Sequence, residues 1–324
     1  MTGRRKIESD ILERAGFRQV SIPVEGLKGG GWWHMVKTMF RLPYSLIQSL
    51  SIIREFTPHI VFGVGGYSAG PVCLASRILG FPTVIHEQNS FPGLTNRWLS
   101  RIVHQVMIAF DESRDYLKGN DIVLTGNPIR PELISVTEQK KDINRPFRLL
   151  VMGGSQGARF INRTIIDALA ILKERGCSPE VVHQTGHSDY EEVVKIYQEK
   201  GVRVDIKPFI DRMDEAYAWA DLVINRAGAS TVSELAALGK PSILIPFPFA
   251  ANNHQEVNAG LLAKRGGAEM VLEKNLNGLK LAELIWKYME NPEDLLSMGR
   301  KAKALGRPDA TRRIVDKLSE MAVQ

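Results

Sequence analysis

Several clusters of glycine and polar residues in this chain have the types and spacing that chemistry needs. Two are glycine-rich turns, Gly63-Val64-Gly65-Gly66-Tyr67-Ser68-Ala69-Gly70-Pro71 and Gly153-Gly154-Ser155-Gln156-Gly157-Ala158. Each follows a strand-like apolar run and opens a helix-like one. Such a turn bares backbone N–H groups at a helix N-terminus, where phosphate or another anion is favoured. Between them, His86-Glu87-Gln88-Asn89 ends another strand-like run and leads into Ser90-Phe91-Pro92-Gly93. Ligands of open α/β sheets lie outside the carboxyl ends of the strands, so four polar groups there point toward a cleft. An Asx-type turn set by Asn89 accounts for the same residues without any ligand.

Further along, Ala227-Gly228-Ala229-Ser230-Thr231-Val232-Ser233-Glu234 follows a strand. Thr231-x-x-Glu234 fits a capping box, which by itself explains both side chains. The same helix start offers backbone N–H groups and hydroxyls to a diphosphate, and a carboxylate one turn later suits both hydroxyls of a ribose. Asn252-Asn253-His254-Gln255-Glu256-Val257-Asn258-Ala259 brings amides and an imidazole that read sugar hydroxyls or simply open a solvated helix. Arg130, in Gly126-Asn127-Pro128-Ile129-Arg130, is placed either to reach a phosphate or as an ordinary surface arginine.

Gly63, Gly65 and Ser68 nearly match the GxGxxG fingerprint, with Glu87 at the distance of a ribose-binding acid, so an NAD-dependent oxidoreductase is a competing reading. Against it stand the serine in place of the third glycine, the extra Gly66-Tyr67, and a polar cluster around Glu87 larger than ribose needs. No Walker lysine motif and no DxD pair occurs, so the expectation is a metal-independent site without a cofactor. A leaving diphosphate would then be stabilised by helix termini, hydroxyls and Arg130.

The elements that position these clusters alternate. Strands are expected at 60–64, 82–86 and 103–109, with helices at 71–79 and 95–101 between them. After a polar, aperiodic stretch the pattern restarts with a strand at 148–152, a helix at 160–175, and strands at 180–183, 202–206, 222–225 and 242–245. The last helix is expected at 310–323. Two Rossmann-like domains facing a cleft is the reading: 1–132, a linker at 133–146, 147–308, and a terminal helix at 309–324.

Composition bounds the rest. At 324 residues, 44% hydrophobic and 24% charged, the chain reads as a globular protein too long for one core. No apolar run reaches the ~18 residues of a spanning helix, and Met1-Thr2-Gly3-Arg4-Arg5-Lys6 leads into charged residues. Cys73 and Cys177, the two cysteines, form no CxxC, which speaks against a disulfide framework or structural zinc and for a reducing cytosol. The net charge of +6 falls mostly before residue 147. Trp32, Trp33, Met35, Met39 and Phe40 among Lys28, Lys37 and Arg41 suit an anionic membrane interface, or equally a loop leading into a core helix. Nucleic acid is not expected as a partner.

Taken in order, the two turns, His86-Glu87-Gln88-Asn89 with Pro92-Gly93, Gly126-Asn127-Pro128, Arg226-Ala227-Gly228-Ala229 through Glu234, and His254-Gln255 with Asn258-Ala259 closely resemble the MurG family. These are bacterial UDP-N-acetylglucosamine transferases that convert lipid I to lipid II in peptidoglycan synthesis. The resemblance implies a GT-B fold, in glycosyltransferase family 28, with the donor held mainly by the second domain and the acceptor, an undecaprenyl-linked lipid at the cytoplasmic face of the membrane, by the first. It implies that Ser155 touches the diphosphate, that Ile210 lies by the uracil, and that Ala229, Ser230 and Thr231 offer groups to sugar and phosphates. By the same resemblance Glu234 binds the ribose hydroxyls and Gln255 reads the sugar. Tyr67, Glu87 and Asn89 would line the acceptor side, and Arg130 and Asn162 the cleft. The implied reaction is inverting: the acceptor C4 hydroxyl attacks the anomeric carbon and UDP leaves from the opposite face.

The family opens with a strand and a GGTGGH loop whose histidine is a favoured base. Nothing before Gly3 matches it, and Thr2 to Glu8 resembles the segment after the family's second strand. The expectation is therefore a first domain short by a βα piece on the order of 30 residues, a complete donor site, and impaired catalysis unless His86, Glu87 or Tyr67 substitutes as base. A UDP-N-acetylglucosamine 2-epimerase and an inactive nucleotide-sugar-binding protein remain as alternatives.

Overall fold

The computed structural model describes residues 12–13, 16–22, 32–119, 121–135, 145–154 and 157–323, the side chains of 32–42 excepted. Ser155, the middle of the expected linker at 136–144, Lys28 and the Thr2 to Glu8 stretch lie outside the described residues. The chain forms two compact units, Met1–Gly126 with Thr311–Gln324, and Asn127–Ala310.

In the first unit, α1 (Trp32–Phe56) precedes β1 (Val61–Gly63), α2 (Gly66–Ile78), β2 (Thr83–Glu87), α3 (Leu94–Leu99), β3 (Gln105–Ile108) and β4 (Ile122–Leu124). The four strands are parallel in the order β1-β2-β3-β4. Every residue of β2 and β3 is buried, as expected of parallel strands covered on both faces. Helix α2 starts five residues before the expected Pro71. Ala69 and Cys73, one turn apart, pack on Gly63, where a Cβ would come 2.6 Å from the Cys73 Sγ. That packing draws the glycine run into the helix, and Gly65 makes the turn with φ +85°. The final helix, α12 (Ala310–Ala322), covers the sheet of this unit by placing Ile314 on Val84 and Met107, with Leu318 and Met321 alongside.

The second unit opens with α4 (Pro131–Ile134). It continues with β5 (Arg148–Met152), α5 (Arg159–Glu174), β6 (Glu180–Gln184), α6 (Tyr190–Lys200), β7 (Asp205–Lys207), α7 (Met213–Trp219) and β8 (Leu222–Asn225). Then come α8 (Ala229–Leu238), β9 (Ser242–Leu244), α9 (His254–Ala263), β10 (Glu269–Met270), α10 (Gly278–Glu290) and α11 (Pro292–Lys303). All six strands are parallel, in the order β10-β9-β8-β5-β6-β7. Ile161, Ile165, Ile166, Leu169 and Leu172 form the buried stripe of α5, each burial worth about 2 kcal/mol. They share one core with Leu281 and Ile285 of α10. Strand β7 begins at Asp205 rather than Val202 because Gly201, left-handed at φ +59°, ends α6 and the Val202 N–H bonds back to the Tyr197 carbonyl at 3.1 Å.

Candidate functional site

Strand order puts the site. From β5 the chain steps outward through β6 and β7, then returns to β8 on the other side of β5 and continues outward through β9 and β10. The crevice beyond the carboxyl ends of β5 and β8 is therefore the topological switch point, the default ligand position in such a sheet. The N-terminal ends of α5 and α8 follow those two neighbouring strands, so two sets of unpaired backbone N–H groups and two positive dipole ends stand side by side.

The turn before α5 is built for close backbone approach. A Cβ on Gly153 would lie 2.2 Å from the Ala158 nitrogen, and one on Gly157, with φ +78°, would lie 2.0 Å from the Thr185 carbonyl oxygen. No side chain fits at either place. The Gly157 N–H closes the turn onto the Gly154 carbonyl at 3.0 Å. Gln184, at the end of β6, then bonds it in place: its side-chain NH2 donates to the Gly154 carbonyl at 2.9 Å, while its Oε1 accepts from the Ile210 N–H at 3.1 Å. One amide thus links the glycine-rich turn to the Ile210 segment.

Gly228 precedes α8 with extended backbone and no side chain caps the helix. Thr231 and Glu234 accordingly do not form the capping box expected from their spacing, because the helix starts two residues before Thr231. The N–H groups of Ala229, Ser230 and Thr231 lie in its first turn, and the Val232 N–H is the first to bond within it, to the Gly228 carbonyl at 2.9 Å. Asn127 steadies this turn, donating to the Ser233 hydroxyl at 3.0 Å. Glu234 stands one turn on, with a side chain only 13% exposed. Its Oε2 accepts from the Tyr217 hydroxyl at 3.1 Å and its Oε1 from Arg130 at 3.2 Å. Arg130, read from the sequence as a phosphate contact or an ordinary surface arginine, pairs here with Glu234 while staying half exposed.

Gln255 ties two strand-end loops together, its Oε1 accepting from the N–H groups of Ala227, at 3.2 Å, and Phe247, at 3.0 Å. Its NH2 group carries two further donors. Arg226 is buried beneath, donating to the carbonyls of Ile245 and Pro246, pairing with Glu273 and lying under the Phe247 ring. Asn162 is corrected by the structure. Only 1% exposed, it donates to the Thr185 carbonyl and to Asp189, both at 3.0 Å, and accepts from or faces the His183 ring at 3.1 Å. A side chain so occupied braces Thr185, the residue against which Gly157 packs, and does not line a cleft. His183 also meets the Tyr197 hydroxyl at 2.9 Å, and burial holds its pKa down at about 3.

In the first unit the polar cluster turns inward. His86 is 1% exposed, bonds the Gly126 carbonyl at 2.9 Å, and is held in its neutral form by burial, which lowers its pKa against the opposing effect of that bond. Glu87, also 1% exposed, accepts from the Asn89 N–H at 2.9 Å and the Gly93 N–H at 3.1 Å, and from the side-chain amides of Asn89 and Asn96. Both side chains are buried away from an incoming hydroxyl, and the four donors around Glu87 already occupy both of its oxygens. They fix the loop from Gln88 to Gly93. Tyr67 is different, standing 43% exposed in the first turn of α2.

Sequence reasoning missed Gln184 and Tyr217, and took Asn127 and Arg226 only as parts of motifs, with no role of their own. Gln184 had a signal, a polar residue ending a buried strand, but the strand was drawn one residue short. Tyr217 had none, since an aromatic inside Ala216-Tyr217-Ala218-Trp219 looks like core.

The chain matches the glycosyltransferase family 28 C-terminal domain over residues 148–314 and the glycosyltransferase family 28 N-terminal domain over residues 1–108. It is 44% identical over 320 residues to the UDP-N-acetylglucosamine–N-acetylmuramyl-(pentapeptide) pyrophosphoryl-undecaprenol N-acetylglucosamine transferase of Myxococcus xanthus, covering 99% of this chain and 84% of that one. A crystal structure of Acinetobacter baumannii MurG superposes with a TM-score of 0.81 at 30% identity, over 98% of this chain and 90% of that one. A UDP-GlcNAc 2-epimerase from Neisseria meningitidis, solved with UDP-GlcNAc, reaches a TM-score of 0.66 at 13% identity, over 98% of this chain and 90% of that one, a likeness of fold alone.

Proposed function

The chain belongs to glycosyltransferase family 28, and we propose from that premise that its second unit holds UDP-N-acetylglucosamine across the β5/β8 switch point and that its first unit presents the acceptor. Its two parallel-sheet units are those of the GT-B fold. The reaction is transfer of N-acetylglucosamine to the muramyl sugar of lipid I, giving lipid II. The observation that carries the donor assignment is the adjacency of two helix N-termini, with Glu234 one turn along the second.

The chemistry follows from that arrangement. As the anomeric C–O bond breaks, charge develops on the diphosphate, and fixed N–H groups at the starts of α5 and α8 stabilise it without having to reorient. Ser155 belongs beside them on the strength of the family resemblance. Glu234 takes the ribose hydroxyls, the Ile210 backbone stands by the base, and the Gln255 NH2 group reads the transferred sugar. Ala229, Ser230 and Thr231 complete the cradle. On the acceptor side, Asn89 is held by Glu87, and Tyr67 offers an exposed phenol. The test is transfer of labelled N-acetylglucosamine from UDP-N-acetylglucosamine to lipid I by the full chain. Labelled lipid II is expected; UDP release without transfer to lipid would overturn the acceptor half.

Membrane association rests on a separate observation. No described helix is long and apolar enough to cross a membrane. Helix α1 nevertheless exposes Tyr44 and Ile47, 61% and 65% accessible and one turn apart, and the net charge of +6 favours anionic lipid. This supports a peripheral position on the cytoplasmic leaflet, where lipid I would be met. Co-sedimentation with vesicles containing anionic lipid is expected, falling with salt; equal binding to neutral vesicles would contradict it.

A further inference from the structure

We propose that Tyr217 is a positioning residue for the donor's ribose, acting through Glu234. The inference rests on the reading of Glu234 as the ribose ligand and adds the group that aims it. Tyr217 lies on α7, is 1% exposed, and places its hydroxyl 3.1 Å from the Glu234 Oε2. A carboxylate can only accept, so the phenol donates. Burial first, and then the neighbouring Glu234 charge, push the phenol pKa well above its ordinary value, so the proton stays on Tyr217 throughout the neutral range.

The consequence is directional. Glu234 is largely covered, and its other oxygen meets Arg130, whose side chain is half exposed and therefore a loose partner. Tyr217 is the rigid one: a buried ring cannot follow a carboxylate that rotates. With one lone pair of Oε2 fixed by the phenol, the remaining lone pairs of both oxygens hold constant directions, which is what simultaneous acceptance from two vicinal hydroxyls demands. A phenylalanine at 217 would fill the same volume and release the carboxylate. A residue that only filled the core would be indifferent to that change.

The experiment compares binding of UDP and 2′-deoxy-UDP to the full chain by calorimetric titration, for wild type, Tyr217→Phe, and the double variant Tyr217→Phe/Glu234→Ala. The double variant removes the carboxylate without leaving a buried hydroxyl unpaired. The wild type is expected to favour UDP about tenfold, the worth of a hydrogen bond to a charged acceptor. Tyr217→Phe should lose most of that preference while binding 2′-deoxy-UDP nearly as the wild type does, and the double variant should show none. If Tyr217→Phe keeps the full preference and the double variant loses it, Tyr217 is packing only and the proposal fails. If the double variant keeps it, or the wild type has none, Glu234 does not read the ribose, and that reading falls together with this one.

Discussion

The two glycine-rich turns look alike in sequence and are held in opposite ways. In the second unit, Gly153 and Gly157 have no space for a side chain, and Gln184 bonds the turn from behind. In the first unit, Gly63 is pressed by the Cys73 side chain, but Gly66 has nothing within 4 Å of a would-be Cβ, and Gly65 would touch only Asn96, at 3.3 Å. The polar residues beside each turn differ in step with this. Around the second, Gln184, Asn127 and Asn162 aim backbone groups and leave the N–H-rich helix starts open. Around the first, Glu87 and His86 are themselves the anchors of a loop. A polar cluster at a strand end is as readily a scaffold as a ligand, and glycines pressed against backbone, as Gly153 and Gly157 are, differ from Gly63, which makes room for the Cys73 side chain of a packed helix.

The largest expected effect separates the two turns directly. Gly157→Ala forces a methyl against the Thr185 carbonyl in left-handed backbone, and it should cost about 3 kcal/mol or more and abolish UDP binding. Gly66→Ala, at φ +77° but with open space, should cost only about 1 kcal/mol and leave UDP binding unchanged. Urea unfolding with UDP titration reads both; equal penalties would erase the distinction.

Acid is the next probe. His183 is neutral and buried with a pKa of about 3, against 6.5 when unfolded, so the unfolded chain binds more protons between those values. Stability is then fully present above pH 6.5 and falls as pH drops toward 3, by up to about 5 kcal/mol. His183→Gln should flatten that slope in the second unit. A slope unchanged in this variant would show that His183 stays neutral in both states or is protonated in both.

Glu87→Gln puts an amide NH2 where one oxygen accepts N–H bonds, and a loss of about 2 kcal/mol in the first unit is expected, with a raised KM for lipid I and unchanged UDP affinity. A collapse of kcat with no stability change would instead make Glu87 the base. The smallest effect belongs to Gln255→Glu, which keeps the acceptor for Ala227 and Phe247 but loses the NH2 donors. The fold should be intact and affinity for UDP-N-acetylglucosamine lower by about threefold to tenfold, with UDP affinity unaltered. Loss of both affinities would place Gln255 at the diphosphate.

The sequence carried the inner strands of both sheets, because a strand buried on both faces reads as a continuous apolar run, as Leu149 to Met152 and Leu222 to Ile224 do; it missed the short, half-buried edge strands Ile122–Leu124 and Glu269–Met270. It carried the second turn for the same reason that the turn works: only glycine fits. What it could not carry was direction. Thr231 and Glu234 have capping-box spacing, yet the helix begins at Ala229, and which oxygen meets which donor is decided by Tyr217 and Arg130, 17 and 104 residues away in the chain. Asn162, placed in the cleft by the resemblance, is instead enclosed by His183, Thr185 and Asp189.

The division of labour between the units is tested most directly by hydrogen exchange on the full chain with and without UDP. Slowed exchange is predicted in peptides spanning 153–162 and 228–238, with 64–72 unchanged. Protection at 64–72 with none at the starts of α5 and α8 would contradict the placement of the donor in the second unit.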